Sequence, residues 1–346
     1  MSGTSYGVNH PSAVKHWSKE LLKESLKKTY GSRFMGKGAN SLCQIKSQTK
    51  DVGDKITFSL RMQLTGAGVQ GDSTLEGNEE SLTTYTDSLT INQLRHAVRS
   101  AGKMSEQRVP WDLREEGEDA LSDWFARRFD TWFFNQLSGN TAESDTRLTG
   151  NQATVAPDST SVIMEATSTA SLASTDKIGL HLIDYAMEMA KTRTLPIRPI
   201  RYGGKDMYIL FVHEYQATDL RRNYSAGQLG DIQKSIIQGG DKENAFIFDG
   251  ALGVYNNTII HSTDLLPTAG VTNTRRAVFC GAQALGMAFG KGSSSVSEFN
   301  WNEELFDFGN QLGIAAGTVA GMKKFVFNGL DNAVITIPTY AAAHTS

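Results

Sequence analysis

WDLREEGEDALSDWFARRFDTWFFNQLS, from Trp111 to Ser138, is the stretch on which the fold turns. Leu121, Trp124, Phe125, Phe129, Trp132, Phe133 and Leu137 recur at helical spacing and make one wide apolar face. Asp112, Glu115, Glu116, Glu118 and Asp119 crowd its start, where carboxylates favour the positive end of the helix dipole. Gly139 is a natural stop. At 1.5 Å per residue the helix reaches about 40 Å. It is long for an average domain and reads as a spine.

Upstream of this helix the periodicity changes to two. Ile56, Phe58, Leu60, Met62 and Leu64 alternate with Thr57, Ser59, Arg61 and Gln63, the pattern of a half-buried strand. A second strand runs through Tyr85, Leu89 and Ile91. Thr65 to Ser81, between them, is rich in glycine and carries Asp72, Glu76, Glu79 and Glu80. The three pieces form one long hairpin, each arm reaching roughly 30 Å at 3.3 Å per residue. A two-stranded hairpin is marginal alone in water, so this one asks for a partner surface in this chain or another.

Earlier still, residues 12–34 read as a basic amphipathic helix with Ser12 as its cap. Val14, Trp17, Leu21, Leu22, Leu26 and Tyr30 form its apolar stripe. Lys15, Lys19, Lys23, Lys27, Lys28 and Arg33 face only Glu20 and Glu24. Such a segment lies on another surface, either its own domain or a neighbour's.

Beyond Gly139, residues 139–177 hold many Ser, Thr, Ala and Asn and no aromatic, and read as a loop with a short strand at Val162–Met164. A compact α/β section follows. A helix runs from Asp176 through Ile178, Leu182, Tyr185 and Met189 until Pro196 and Pro199. Tyr208–Val212 is a buried strand, and Glu214–Arg222 a helix. Further strands are expected at Phe246–Phe248, Thr258–His261, Ala277–Cys280, Phe325–Phe327 and Val334–Ile337.

The 346 residues suit about two domains, or one with long extensions. A net charge of −3 argues against a general nucleic-acid binder. Cys43 and Cys280 have no metal-ligand spacing and make no disulfide framework, which fits a reducing compartment. No run of about 18 apolar residues offers a membrane span, and Met1–His10 has no apolar signal core.

Motifs of catalysis fail on inspection. Gly66-Ala67-Gly68-Val69-Gln70-Gly71 matches G-x-G-x-x-G, with Asp87 near the distance of a ribose contact. The motif needs a helix N-terminus facing the pyrophosphate, and an acidic, non-helical segment follows instead. Ser-x-x-Lys occurs at Ser25, Ser47, Ser100 and Ser174, which shows how little the pattern says. The histidines make no ligand pair. His213, beside Glu214, reads as a structural histidine rather than a base. Glu115/Glu116 and Glu303/Glu304 read as solvated or dipole-favoured charges. No catalytic, cofactor-binding or metal-binding residue is assigned.

An arm, a long hairpin, a spine helix and an α/β section, in that order, resemble the major capsid protein of tailed bacteriophages. The family is similar to the N-four-type capsid proteins, with the Hong Kong 97-like fold. The carrying stretches are Val109-Pro110-Trp111-Asp112, leading into the aromatic helix, and Tyr208-Ile209-Leu210-Phe211-Val212-His213, leading into Asp219-Leu220-Arg221. Gly250-Ala251-Leu252-Gly253-Val254 follows, running through Ile259-Ile260-His261 to Leu266-Pro267. Ala277-Val278-Phe279-Cys280-Gly281-Ala282-Gln283-Ala284 is the last. Order and spacing over most of the chain, more than any one stretch, carry the likeness.

The resemblance implies an α+β subunit and a part for each segment: an N-terminal arm at 1–50, an extended loop at 51–92, and a peripheral domain at 93–175 with its spine at 111–138. An axial domain at 176–295, a peripheral return strand at 296–330 and a C-terminal tail at 331–346 complete it. It implies self-assembly into hexamers and pentamers of an icosahedral virion head, built in the bacterial cytoplasm. A scaffolding protein, a portal and a decoration protein are its expected partners, with packaged double-stranded DNA held without sequence specificity and no membrane. Some relatives carry a cleaved scaffold-like segment before the arm, and its absence here leads us to expect a separate scaffold or a chain already trimmed. Lys15, Lys19, Lys23, Lys27 and Lys28 of the arm, with Asp72, Glu76, Glu79 and Glu80 of the hairpin tip, are the expected inter-subunit contacts. Some relatives crosslink through a loop lysine, but none stands between Lys55 and Lys103, so no isopeptide bond is expected there. The competing readings are an encapsulin-type shell and a cytoplasmic α/β enzyme with its site near His213 and Asp219.

Overall fold

The computed structural model of the chain describes residues 28–47, 53–110, 112–193, 195–202, 204–222, 251–290 and 299–344. In chain order the strands begin with β1 (Met35–Gly36), β2 (Cys43–Ser47), β3 (Lys55–Arg61), β4 (Thr84–Thr90) and β5 (Asn92–Arg99). After helix α1 (Leu113–Ser138) and helix α2 (Leu180–Thr192) come β6 (Ile200–Tyr202), β7 (Lys205–His213) and helix α3 (Glu214–Arg222). The rest is β8 (Ala251–Tyr255), β9 (Thr258–Thr263), β10 (Thr274–Cys280), β11 (Leu285–Phe289), β12 (Phe299–Phe306) and β13 (Gln311–Lys324), then β14 (Val326–Phe327), β15 (Leu330–Asp331) and β16 (Val334–Tyr340).

Two six-stranded sheets organise these elements. One has the order β1-β2-β11-β13-β12, with β5 also on β13; the other has β16-β10-β7-β9-β8, with β6 on β7. Strand β7 is buried from Met207 to His213, as befits a continuous apolar run inside a sheet with both faces covered. Its parallel neighbour β9 aligns Phe211 with His261. β11 follows β10 by only a few residues yet crosses to the first sheet, pairing with β13 and β2.

Helix α1 joins the two sheets. Phe125 packs edge-on against Phe299 of β12 at 4.8 Å, and Phe129 meets Phe289 of β11 at 6.4 Å. Two turns later Phe133 and Phe134 meet Phe211 of β7 at 5.9 and 5.5 Å. One aromatic row thus spans both sheets, and residues 132–138 are buried on every side. The helix starts at Leu113 rather than Trp111, because Asp112 is its cap, accepting the N–H of Arg114 at 2.9 Å. It stops at Gly139, with φ of 61°, where a Cβ would lie 2.6 Å from the Val155 carbonyl.

The segment 139–177 is held by the polar side of this helix. Trp132 Nε1 donates to the Arg147 carbonyl at 2.7 Å, Asn135 Nδ2 to that of Leu148 at 2.9 Å, and Gln136 to that of Thr149. The expected strand at Val162–Met164 is reduced to a single bridge from Val162 to Thr336.

Several boundaries move. The arm helix does not continue to residue 34: Thr29 is extended, and Tyr30–Phe34 is a tight 3-10 turn. Helix α2 begins at Leu180, not Asp176, and Tyr185 is exposed rather than on its buried stripe. The expected strand at Phe246–Phe248 lies outside the described residues, while β8, β11, β12 and the long β13 surpass the sequence reading. β13 escapes periodicity because it is central in its sheet and carries glycines where neighbours approach; a Cβ on Gly321 would meet the Thr90 carbonyl at 2.2 Å.

Candidate assembly interface

The hairpin β3/β4 pairs Lys55 with Thr90 through Arg61 with Thr84. It stands on its own small core, in which Phe58, Leu89 and Ile91 meet Ala288, Phe325 and Phe327. Phe58 and Phe325 rings lie 4.6 Å apart, and Lys46 Nζ sits 4.1 Å above the Phe58 ring. Asp87 of β4 binds Lys323 and also accepts the Val326 N–H at 3.1 Å. This ion pair is mostly buried and anchors the strand to the body.

Away from that seat the alternation loses its cover. Phe58 is 3% exposed, whereas Leu64 on the same stripe is 56% exposed. Strand pairing ends at Arg61, and residues 63–68 and 70–84 are exposed throughout. Leu75 and Leu82 join Leu64 as bare apolar side chains. The glycine motif at 66–71 lies in this irregular tip, with no helix after it.

The four acidic tip residues divide in role. Glu80 accepts the N–H groups of Thr65 and Gly66 at 2.9 and 2.6 Å, folding the tip across its own neck. Those backbone donors hold its carboxyl below the usual range. Glu79 accepts the Gly77 N–H at 2.8 Å. Asp72 and Glu76 stand exposed at the end.

Of the arm lysines, Lys15, Lys19, Lys23 and Lys27 lie outside the described residues. Lys28 reaches the spine: its Nζ is 2.9 Å from Asp123 and 3.6 Å from Asp119. Asp130, further along α1, accepts the N–H groups of Tyr30 and Gly31 at 2.9 and 2.8 Å. Burial raises its pKa to about 6, against the lowering effect of those two bonds. Lys28 is thus brought to the spine helix of its own chain.

A second exposed apolar point escaped the sequence reading. The turn between β12 and β13 presents Phe308, fully exposed, with a left-handed φ of 51°. Leu305 and Met104 are bare nearby in sequence and fold, Lys103 being tied to Asn310 at 3.3 Å. A ring held at that φ, which L-residues seldom adopt, is the signal that only a structure supplies.

The residues of the rival enzyme reading are otherwise engaged. His213 is buried and accepts the Tyr215 N–H through Nδ1 at 3.1 Å, and burial, helped by Arg275, lowers its pKa to about 4. Asp219 is held by Lys177 at 2.8 Å and His344 at 3.0 Å. Cys43 and Cys280 are free and buried. Among the described residues no cluster of side chains fits a metal ion, and no helix is long and apolar enough to cross a membrane.

A seated hairpin with an uncovered tip, a spine joining two sheets and an arm entering along that spine define a capsid subunit of the Hong Kong 97-like fold. The chain belongs to the phage capsid protein family, whose model matches residues 5–343, and it is a phage major capsid protein. It is 27% identical over 342 residues to the major capsid protein of Pseudomonas phage KPP25, covering 89% of this chain and 88% of the relative. The capsid of Ralstonia phage GP4 superposes with a TM-score of 0.79 and 34% identity over 100% of both chains. An encapsulin of Synechococcus elongatus shares the fold more distantly, with a TM-score of 0.51 and 7% identity over 100% of this chain and 95% of that one. The resemblance read from the sequence is borne out, and the phage reading stands ahead of the encapsulin one.

Proposed function

We propose that copies of this subunit form hexamers and pentamers, close into the icosahedral head of a tailed phage, and enclose double-stranded DNA without reading its sequence. The observation that carries this is the hairpin: its base is seated in the chain's own small core, while its tip leaves Leu64, Leu75 and Leu82 exposed among the described residues. Exposed apolar groups ringed by charge mark a protein contact. The second sheet with α2 and α3 corresponds to the axial domain, and the first sheet with α1 to the peripheral domain. On that assignment β11 belongs with the peripheral sheet, so the axial domain closes near Cys280 rather than 295. The C-terminal strand β16 belongs to the axial sheet.

Within the shell, Asp72, Glu76 and Glu79 would meet basic groups of a neighbour, with Lys15 and Lys19 of its arm as first candidates. Exposed ion pairs are each worth about 0–1 kcal/mol, so they act on register and salt dependence more than on strength. The role is structural, without catalysis. A scaffolding protein, a portal and a decoration protein are its partners, and assembly takes place in the host cytoplasm.

Negative-stain electron microscopy of the expressed chain, with and without a candidate scaffold, tests the reading. Closed shells or sheets of capsomers are expected, and shells from infected cells should protect DNA from nuclease. A stable monomer under both conditions would overturn it. Glu76→Lys with Glu79→Lys should shift the salt optimum of assembly while leaving the monomer folded.

A further inference from the structure

A cavity of about 430 Å³ opens at one end of the second sheet, between the turn 268–273, the start of α3 and the segment 341–343 that follows β16. Hydrogen bonds hold its walls. Thr274 Oγ1 donates to the Val271 carbonyl at 2.6 Å, and the Ala341 N–H to that of Asn273 at 2.8 Å. Gln216 Nε2 donates to Thr339 Oγ1 at 2.7 Å and to the Arg275 carbonyl at 3.3 Å, tying α3 to β16 and β10.

Arg275 is the charged group in this lining, and none of the lining residues is acidic. The side chain is half-buried. Its Nε is out of water and bonds to nothing, and Nη1 reaches only the adjacent Thr274 carbonyl at 3.4 Å. The guanidinium lies 5.7 Å from the centre of the Tyr215 ring. No carboxylate pairs with it among the described residues. A dry donor on a cation costs free energy that an acceptor of opposite charge restores.

Charge and size together choose that acceptor. The side chains of Thr268, Thr272 and Asn273 also line the cavity and bond to nothing else among the described residues. A guanidinium beside hydroxyl and amide donors suits an oxyanion. The volume falls in the usual small-molecule range of about 300–1,000 Å³. A bare phosphate ion would leave most of it empty, whereas the Tyr215 ring and Val271 offer apolar walls for an organic remainder.

We propose that this cavity binds a small organic phosphate of nucleoside-monophosphate size. Arg275 holds the phosphate, and Tyr215 and Val271 flank the rest of the ligand. The site belongs to the folded subunit and stands or falls apart from shell formation.

The test is calorimetric titration of the full chain with AMP, adenosine and inorganic phosphate at one ionic strength. AMP is expected to bind at millimolar concentration or below, several-fold more tightly than inorganic phosphate or adenosine. Arg275→Gln should weaken AMP about tenfold, the loss of one charge-assisted hydrogen bond. Val271→Trp changes an exposed residue, fills the cavity and leaves Arg275 in place, so it should block AMP without lowering the melting temperature. No binding of AMP by the parent, unchanged binding in either variant, or adenosine binding as tightly as AMP would overturn the proposal. Arg275-dependent binding of a short DNA duplex in place of AMP would also overturn it, and would assign the contact to nucleic acid.

Discussion

Asp130 accepts the backbone N–H of Gly31 at 2.8 Å, a bond that fastens the start of the described chain to the middle of the spine helix. Its second oxygen takes the N–H of Tyr30. Two orphan donors of a tight turn are satisfied by a carboxylate that burial makes reluctant to ionise.

That arrangement sets a pH dependence. The folded pKa of Asp130, about 6, lies above its ordinary value of 3.8. The contribution of such a group is fully present below the unfolded pKa and is lost as pH rises through the folded one. Wild type should therefore lose stability between about pH 4 and 6 relative to Asp130→Asn, by at most roughly 3 kcal/mol at 1.4 kcal/mol per pKa unit. Denaturant unfolding of both proteins at pH 4.5 and 7 reads the difference; equal differences at the two pH values would count against it.

Lys324 and Asp331 form an ion pair at 2.8 Å, with side chains 0% and 1% exposed. Burial lowers the lysine and raises the aspartate, each opposed by the partner. Lys324→Met strands the carboxylate and should cost about 3–5 kcal/mol. Lys324→Met with Asp331→Asn removes both charges and keeps the acceptor for the Asp158 N–H, so it should recover most of the loss. A double-mutant cycle by chemical denaturation measures the coupling.

The hairpin stripe separates folding from assembly. Phe58→Ala should destabilise by about 3–5 kcal/mol, the usual cost of emptying a buried phenylalanine site. Leu64→Ser, at a bare position, should change monomer stability by less than about 0.5 kcal/mol. The same Leu64→Ser should reduce shell yield. Thermal melts beside electron microscopy distinguish the two effects, and a monomer destabilised by Leu64→Ser would contradict the uncovered tip.

The extended loop holds no lysine between Lys55 and Lys103. Mature particles should therefore run as single subunits on denaturing gels. A ladder traced to a hairpin crosslink would contradict this.

Periodicity carried the spine and the hairpin, because Phe125, Phe129 and Phe133 bury one helix face and Phe58 sits on an alternating stripe. It ran out where burial is complete or where no apolar pattern exists. β13, flanked on both sides and threaded with glycine, shows neither a period of two nor a period of 3.6. The ordered loop 139–177 is fixed by Trp132, Asn135 and Gln136 reaching its carbonyls, a polar arrangement invisible to hydropathy. The arm lysines were legible as a charged stripe, yet Lys28 on Asp119 and Asp123 shows a target that charge alone could not choose. Phe308 was missed because its exposure follows from the backbone angle of a turn.

The small core under the hairpin is separate from the main one. Its few side chains, with the Asp87 contacts to Lys323 and Val326, are what the β3/β4 ribbon must release to swing, while the aromatic row along the spine stays shut. The subunit thus has a soft joint beside a rigid frame: the ribbon can re-aim by local opening at a fraction of the global unfolding free energy. In the proposed shell of hexamers and pentamers, one sequence would in this way meet neighbours at unequal angles without being refolded for each.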